Sequence, residues 1–188
     1  MLILHISNLG CRRPRLHTEP VDLLAYTGDA ECVDVIEWLL DSYSRIVYVT
    51  GEREVPAARR RLEEAGVLAD GRILEVAGLG IAGVGGLGMK EDIEHLDGVT
   101  RVSILLSHFP PYMMLDRDRL GVHRGITKVS SLSARLGASA VLYGHSGMPG
   151  CIKANGVLYS NASNGWYSII EWPSRGGPEC LGARRLPP

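Results

Sequence analysis

Short, uninterrupted apolar runs that stop abruptly at a small or polar residue punctuate this chain, and they narrow its possible folds more than any other feature. Leu2 to Ser7 (LILHIS), Leu23 to Gly28 (LLAYTG), Arg45 to Thr50 (RIVYVT), Arg101 to Ser107 (RVSILLS) and Ala138 to Gly144 (ASAVLYG) are such runs. Continuous stretches of this length, rich in Ile, Val and Leu, are strands covered on both faces. Between the second and third runs lies a helix from Cys32 to Ser42, with Val33, Ile36, Leu39 and Leu40 on one stripe. Another follows Pro56, where Ala57 to Ala65 is built from strong helix formers and stops at Gly66. This βαβ beginning makes the class α/β, with a sheet at least partly parallel.

After Gly71 the rhythm changes. Ile73 to Ala77 and Gly80 to Val84, separated by Gly78, read as a hairpin, followed by a short acidic helix from Glu91 to Leu96. A further helix spans Ser130 to Leu136. Cys151 to Ala154, Val157 to Ser160 and Trp166 to Trp172 read as strands, and the Asn155-Gly156 and Asn164-Gly165 dipeptides as hairpin turns. The tail after Pro173 reads as an edge segment or a disordered end. With no repeat and no linker, residues 1 to 188 are expected to form one domain.

Composition removes several function classes. A net charge of -1 offers no global attraction to nucleic acid or an anionic membrane. No apolar run reaches about 18 residues, so no spanning helix is expected. Met1 to Ser7 lacks the basic flank and the length of a signal h-region, which points to a cytoplasmic protein. Cys11, Cys32, Cys151 and Cys180 show no CxxC spacing and read as small hydrophobic or free thiols rather than zinc ligands or a disulfide framework.

The chemistry gathers where the runs stop: Gly28-Asp29, Gly51-Glu52-Arg53-Glu54, Ser107-His108 and Gly144-His145. Ligands of open α/β sheets collect beyond the carboxyl ends of strands. Each polar residue has its own structural explanation: Asp29 as N-cap of the following helix, a strand-end His as a satisfied core residue. One shared site explains all four together. Converging imidazole and carboxylate groups suit a divalent transition metal such as Mn, Fe or Zn.

In order and strand context these stretches resemble the calcineurin-like metallophosphoesterases. Members of that family carry an Asp-x-His after the first strand, then Gly-Asp-x-x-Asp, Gly-Asn-His-Asp/Glu, a lone strand-end His and Gly-His-x-His. The corresponding stretches here are Ile6-Ser-Asn8-Leu-Gly10, Gly28-Asp-Ala-Glu-Cys32, Gly51-Glu-Arg-Glu54, Ser107-His-Phe-Pro-Pro111 and Gly144-His-Ser-Gly147. The resemblance covers roughly residues 1 to 172 and implies a four-layer α/β/β/α sandwich with two mixed sheets.

The same resemblance implies site roles, with substitutions. One metal of the family's pair maps onto Asn8, Gly10, Asp29 and Gly147, a set with a single strong ligand. The other maps onto Asp29, Glu52, His108 and His145, which remains competent because a carboxylate replacing a carboxamide is a better ligand for a hard or borderline cation. The implied cofactor is thus one divalent ion (Mn, Fe or Zn) on Asp29, Glu52, His108 and His145, with Asn8 as a weak partner or a substrate contact. The histidine that protonates the family's leaving group is replaced by Arg53. A guanidinium, with pKa above about 12, cannot serve as a general acid near neutrality but can hold charge on a phosphoryl group. Arg53 is therefore the candidate catalytic and substrate-binding residue, a solvated salt bridge being its alternative, and Glu54 is expected to orient it. The implied activity is hydrolysis of a phosphorylated small molecule or other phosphoester with a good leaving group. The alternative is an inactive pseudoenzyme that binds a phosphorylated ligand or protein partner.

Four other features are weaker signals. Gly83-x-Gly85-x-x-Gly88 matches a dinucleotide fingerprint by spacing, but no acidic residue closes a following strand. Cys11-Arg-Arg-Pro-Arg15 is a basic loop, either plain surface or a guide for an anionic substrate, and His17 on it is a possible replacement ligand. His5 reads as core. Met113-Met114 reads as a loop over apolar surface, a candidate lid.

Overall fold

A computed structural model describes residues 1–15 and 20–187, and in it the apolar runs form the middle of two sheets because both of their faces are covered. In chain order the elements are β1 (Leu2–Ile6), β2 (Leu23–Thr27), α1 (Val33–Ser42), β3 (Ile46–Val49), α2 (Pro56–Glu64), β4 (Ile73–Val76) and β5 (Leu79–Val84). There follow α3 (Met89–His95), β6 (Ile104–Ser107), α4 (Thr127–Arg135), β7 (Ala140–Tyr143), β8 (Gly150–Ala154), β9 (Val157–Asn161), β10 (Trp166–Glu171) and β11 (Glu179–Arg185). The first sheet has the order β11-β10-β1-β2-β3 and the second β4-β5-β6-β7-β9-β8. Both are mixed: β1, β2 and β3 run parallel, as do β5, β6, β7 and β9, while β10, β11, β4 and β8 are antiparallel to their neighbours.

Three apolar clusters define four layers. Alternate residues of the first sheet (Leu4, Ile6, Leu24, Tyr26, Ile46 and Tyr48) meet Val35, Ile36 and Leu39 of α1 and Leu62 of α2. The other face of that sheet, with Ile3, Leu23, Val47 and Val49, packs against Ile81, Ile104, Leu106 and Leu142 of the second. Beyond it, Leu105, Val141 and Tyr143 carry Leu96, Val129, Leu132 and Leu136 on the α3 and α4 side. A fully buried Leu, Ile or Val contributes about 1.5–3 kcal/mol, so this inter-sheet core fixes how the carboxyl ends of the two parallel sets align. The expected α/β/β/α sandwich is the one found.

Two expectations are corrected. The cysteines are paired rather than free: Cys11 with Cys32 and Cys151 with Cys180, at Cα separations of 5.1 and 6.4 Å. The second pair joins β8, on the edge of one sheet, to β11, on the edge of the other, a proximity that linear spacing does not encode. Asn155-Gly156 closes the β8–β9 hairpin, with φ of 51° and 79°. Asn164-Gly165 has the same left-handed pair, at 58° and 76°, yet carries the chain from β9 in one sheet to β10 in the other. A dipeptide sets the reversal, and the free strand edge sets the partner. Of the two readings of the tail, the edge segment is the one found: β11 lies on the sheet edge, pairing Trp166 with Arg185 at one end and Glu171 with Glu179 at the other.

Among the described residues, no helix is long and apolar enough to cross a membrane. His17 lies outside the described residues. His5 is core: its ring is fully buried between the sheets, Nδ1 2.9 Å from Ser160 Oγ and Nε2 3.1 Å from Thr27 Oγ1. Burial pushes its pKa down to about 3.

Candidate metal centre

β2 runs into Gly28 and then Asp29, whose backbone takes the left-handed conformation at φ 65°. Helix α1 is preceded at its N-cap by Cys32, with no side-chain cap, so Asp29 does not serve as the cap. Its carboxylate turns the other way. Oδ1 accepts the backbone N–H groups of Glu52 (2.9 Å) and Arg53 (3.2 Å), and Oδ2 accepts Asn8 Nδ2 at 2.9 Å. A Cβ on Gly51 would collide with that carboxylate, so the β3 turn needs a glycine to approach it.

His108, directly after β6, is fully buried. Its Nδ1 lies 2.9 Å from the Thr27 carbonyl, which can only accept; the proton therefore sits on Nδ1 and Nε2 carries the free lone pair. Burial holds its pKa below the ordinary histidine value, which keeps that lone pair available. Nε2 stands 3.7 Å from Asp29 Oδ2 and 3.1 Å from His145 Nδ1. His145 follows β7, at φ 62°, and its backbone N–H donates to Asn8 Oδ1 at 2.9 Å.

Donor atoms of Asp29, His108 and His145 all lie within 4.8 Å of one another. Two imidazole nitrogens facing at 3.1 Å need a proton or a cation between them, and a carboxylate with two imidazoles is a donor set that can hold a divalent metal. Glu52 stands at the rim, its Oε2 3.3 Å from His145 Nδ1. The structure thus brings Asp29, His108 and His145 into one group, with Glu52 beside it.

Arg53 and Glu54 do not form the expected pair. Arg53 is exposed and bonds through Nη1 to Glu31 Oε1 at 3.1 Å. Glu54 is turned inward: Oε1 accepts Asp29 N–H (2.6 Å), Ala30 N–H (3.3 Å) and Tyr48 O–H (2.7 Å), and Oε2 accepts Gly51 N–H (2.7 Å). Burial raises its pKa, and it clamps the β2 and β3 turns together. Glu31 is a site residue that the sequence reading passed over, although it sits inside the Gly28-Asp-Ala-Glu-Cys32 stretch.

The substituted positions differ in kind. Gly10 has room: a Cβ there would find only Glu31 Oε1, at 3.9 Å. Gly147 has none. At φ 100°, its Cβ would collide with the Leu115 carbonyl and sit 3.0 Å from Asn161 Nδ2, which itself bonds the Leu115 and Ser146 carbonyls. The loop between β6 and α4 thus packs the backbone of Leu115 against Gly147. Met113 is exposed and Met114 packs into the α4-side core, so this loop does cover apolar surface. His123 of that loop is tied to Asp116, Nδ1 to Oδ1 at 2.6 Å. The glycine-rich Gly83-x-Gly85-x-x-Gly88 is a packing feature: Cβ atoms there would meet the Ala69 carbonyl at 2.5 Å and Asp70 Oδ2 at 2.7 Å.

A cavity of about 600 Å³ opens beside the centre, lined by Asn8, Arg12, His145, Asn164, Gly165, Arg185 and Leu186. Arg185 lies in the segment read from sequence as a tail, where ECLGARR shows too little apolar alternation to announce a strand.

No family model matches the chain, and no curated protein matches it. Solved structures do. The protein TT1561 of Thermus thermophilus superposes with a TM-score of 0.62 at 16% identity, covering 90% of this chain and 93% of its own. An archaeal phosphodiesterase superposes at 0.54 and 13% identity, over 96% and 100%. Vacuolar Protein Sorting 29 from Cryptosporidium parvum does so at 0.54 and 12%, over 98% and 97%.

Proposed function

From the calcineurin-like metallophosphoesterase fold that the chain shares with these structures, we propose a metal-dependent phosphoesterase working through one divalent ion, Mn, Fe or Zn. Asp29, His108 and His145 hold the ion and Glu52 completes the set. The convergence of the first three within 4.8 Å carries this reading. Such an ion supplies Lewis-acid charge and acidifies water near neutrality.

The chain's own residues do the positioning. Two backbone N–H groups and the Asn8 amide hold the Asp29 carboxylate. The Thr27 carbonyl selects the His108 tautomer. Asn8 lines the cavity wall, where it borders the substrate. Arg53, exposed and anchored on Glu31, reaches the equatorial oxygens of a phosphoryl group and steadies their charge.

The two disulfides favour an oxidising compartment, or the cytoplasm of a hyperthermophile, where intracellular disulfides persist. The cytoplasmic assignment is kept for a chain of the second kind.

The test is elemental analysis of the purified protein together with hydrolysis of aryl phosphate mono- and diesters in Mn, Fe, Zn or Mg. Bound metal and turnover are expected, both lost in Asp29→Ala and His108→Ala. Metal binding that survives both changes would sink the assignment. One observation favours a second reading, a pseudoenzyme that binds a phosphorylated ligand: Gly147 is sterically closed to a ligand side chain. Ligand binding without turnover in any metal would establish it.

A further inference from the structure

The cavity beside the centre continues away from the metal group. A second cavity of about 310 Å³ shares Asn164 and Arg185 with it and is lined further along by Trp166, Met148, Pro149 and Arg117. Through these shared residues the two form one groove, lined by His145 and Asn8 of the centre, by Arg12 and Arg185, and by the Trp166 indole.

Each of the two arginines is mounted on something firm. Cys11, the neighbour of Arg12, is disulfide-bonded to Cys32, and Arg12 Nε lies 3.4 Å from the Leu9 carbonyl. Arg12 Nη2 reaches across to within 3.8 Å of where a Cβ on Gly165 would stand. Arg185 is paired with Trp166 in the β10–β11 ladder, and the next residue, Leu186, donates its N–H to the Gly165 carbonyl at 2.7 Å. Among the described residues no carboxylate lies within ion-pair distance of either guanidinium, whereas Asp118, the one acid lining the groove, is bonded to Arg124. Two guanidinium groups followed by an indole match a phosphate followed by an aromatic base.

The leaving group narrows the bond that is cut. His145, part of the metal group, is the one imidazole among the residues lining the two cavities, and Arg53 cannot give up a proton near neutrality. An alkoxide leaving group needs such a proton. A phosphate monoester, whose second pKa is about 6, does not, but its charge needs neutralising. Arg12 and Arg185, which line the same cavity as His145, can supply that neutralisation.

We propose that this groove binds the nucleotide half of a pyrophosphate diester, so that the P–O–P anhydride is the bond hydrolysed; this rests on the phosphoesterase reading above. Water oxygen bonds to the phosphorus at the Asp29 end. The bridging P–O bond breaks, its electron pair leaves with the nucleotide phosphate between Arg12 and Arg185, and the proton released by the water passes to solvent. The products are two phosphate monoesters.

The experiment has a binding arm and a turnover arm. Calorimetric titration of AMP into the wild-type protein and into R12A/R185A and W166A is expected to show affinity falling about 100-fold and about tenfold. All three side chains lie at the groove surface, and thermal melting confirms that each variant is folded. ADP-ribose is the turnover probe, with bis(p-nitrophenyl) phosphate alongside. The R12A/R185A loss is expected to be at least about 30-fold greater on ADP-ribose, and oxygen from labelled water is expected in ribose 5-phosphate rather than AMP. Unchanged AMP affinity in both variants overturns the proposal. So does cleavage of the aryl diester with ADP-ribose left intact, or label in AMP. If neither ester is cleaved while AMP binding depends on Arg12, Arg185 and Trp166, the anhydride step falls together with the hydrolytic reading and the nucleotide groove stands.

Discussion

Asn8 Oδ1 accepts the backbone N–H of His145 at 2.9 Å, across 137 positions of sequence. The same side chain donates through Nδ2 to Asp29 Oδ2, also at 2.9 Å. Because an N–H can only donate, the orientation of the amide is settled by this contact. One side chain on the first strand end thus holds two of the three metal-group residues in register, which is a positioning role.

Asn8→Asp puts a carboxylate oxygen where the amide now donates to Asp29. Without metal the two carboxylates repel, and stability is expected to fall by about 1–2 kcal/mol, or roughly 2–8 °C in melting temperature. A divalent cation reverses the repulsion, so added Mn is expected to raise the variant's melting temperature more than it raises that of the wild type. Melting curves in EDTA and in Mn check this. Equal metal-induced shifts would contradict it.

Gly147→His tests whether a second metal ligand can be accommodated beside His145. The left-handed backbone and the Leu115 carbonyl leave no room for the side chain. Destabilisation by more than about 2 kcal/mol is expected, with metal content still at or below one ion per chain. Two ions per chain in a normally stable variant would show that the loop around Leu115 yields.

Removing the disulfides should act mainly through the unfolded chain. The bridges join residues 21 and 29 positions apart, and loops of that size are worth about 3–4 kcal/mol each in the chain-entropy account. Urea unfolding of Cys32→Ser and Cys180→Ser is expected to show losses of that order. Identical midpoints with and without reductant in the wild type would rule the contribution out.

His5 sets a pH dependence whose sign is fixed by burial. Its folded pKa, about 3, lies below the ordinary 6.5, so the native state binds fewer protons than the unfolded state between those values. Its contribution is intact above about pH 6.5 and is lost progressively as pH falls towards 3. Between pH 7 and pH 5 the loss is about 2 kcal/mol. His5→Gln, which cannot titrate, is expected to remove that part of the slope in urea unfolding at the two pH values. A variant with the wild-type slope would show that His5 is not its source.

What could be read from sequence follows from how far each residue's environment is local. Strands such as Leu23–Thr27 and Ile104–Ser107 are legible because being buried on both faces demands an unbroken apolar run, and the end of the run then places Asp29 and His108 at the sheet edge. The sandwich itself came from the resemblance, and the layered clusters bear it out. Pairings across the chain were illegible. Cys151 meets Cys180 only because two sheet edges meet, and Asn164-Gly165 gives no sign that its next strand belongs to the other sheet. Glu54 was misjudged for a related reason: adjacency to Arg53 implied a partner, while Asp29, Tyr48 and Gly51 claimed both its oxygens.

Asn8, Asp29 and His145 all adopt positive φ, at 55°, 65° and 62°. Among side-chain-bearing residues, Asn, Asp and His are the types that tolerate this conformation most often, and glycine tolerates it freely. The backbone pedestal therefore filters its own mutations. Substitutions at these three positions are accepted with least strain when they stay among Asn, Asp, His and Gly, so the backbone here limits which chemistries can replace one another.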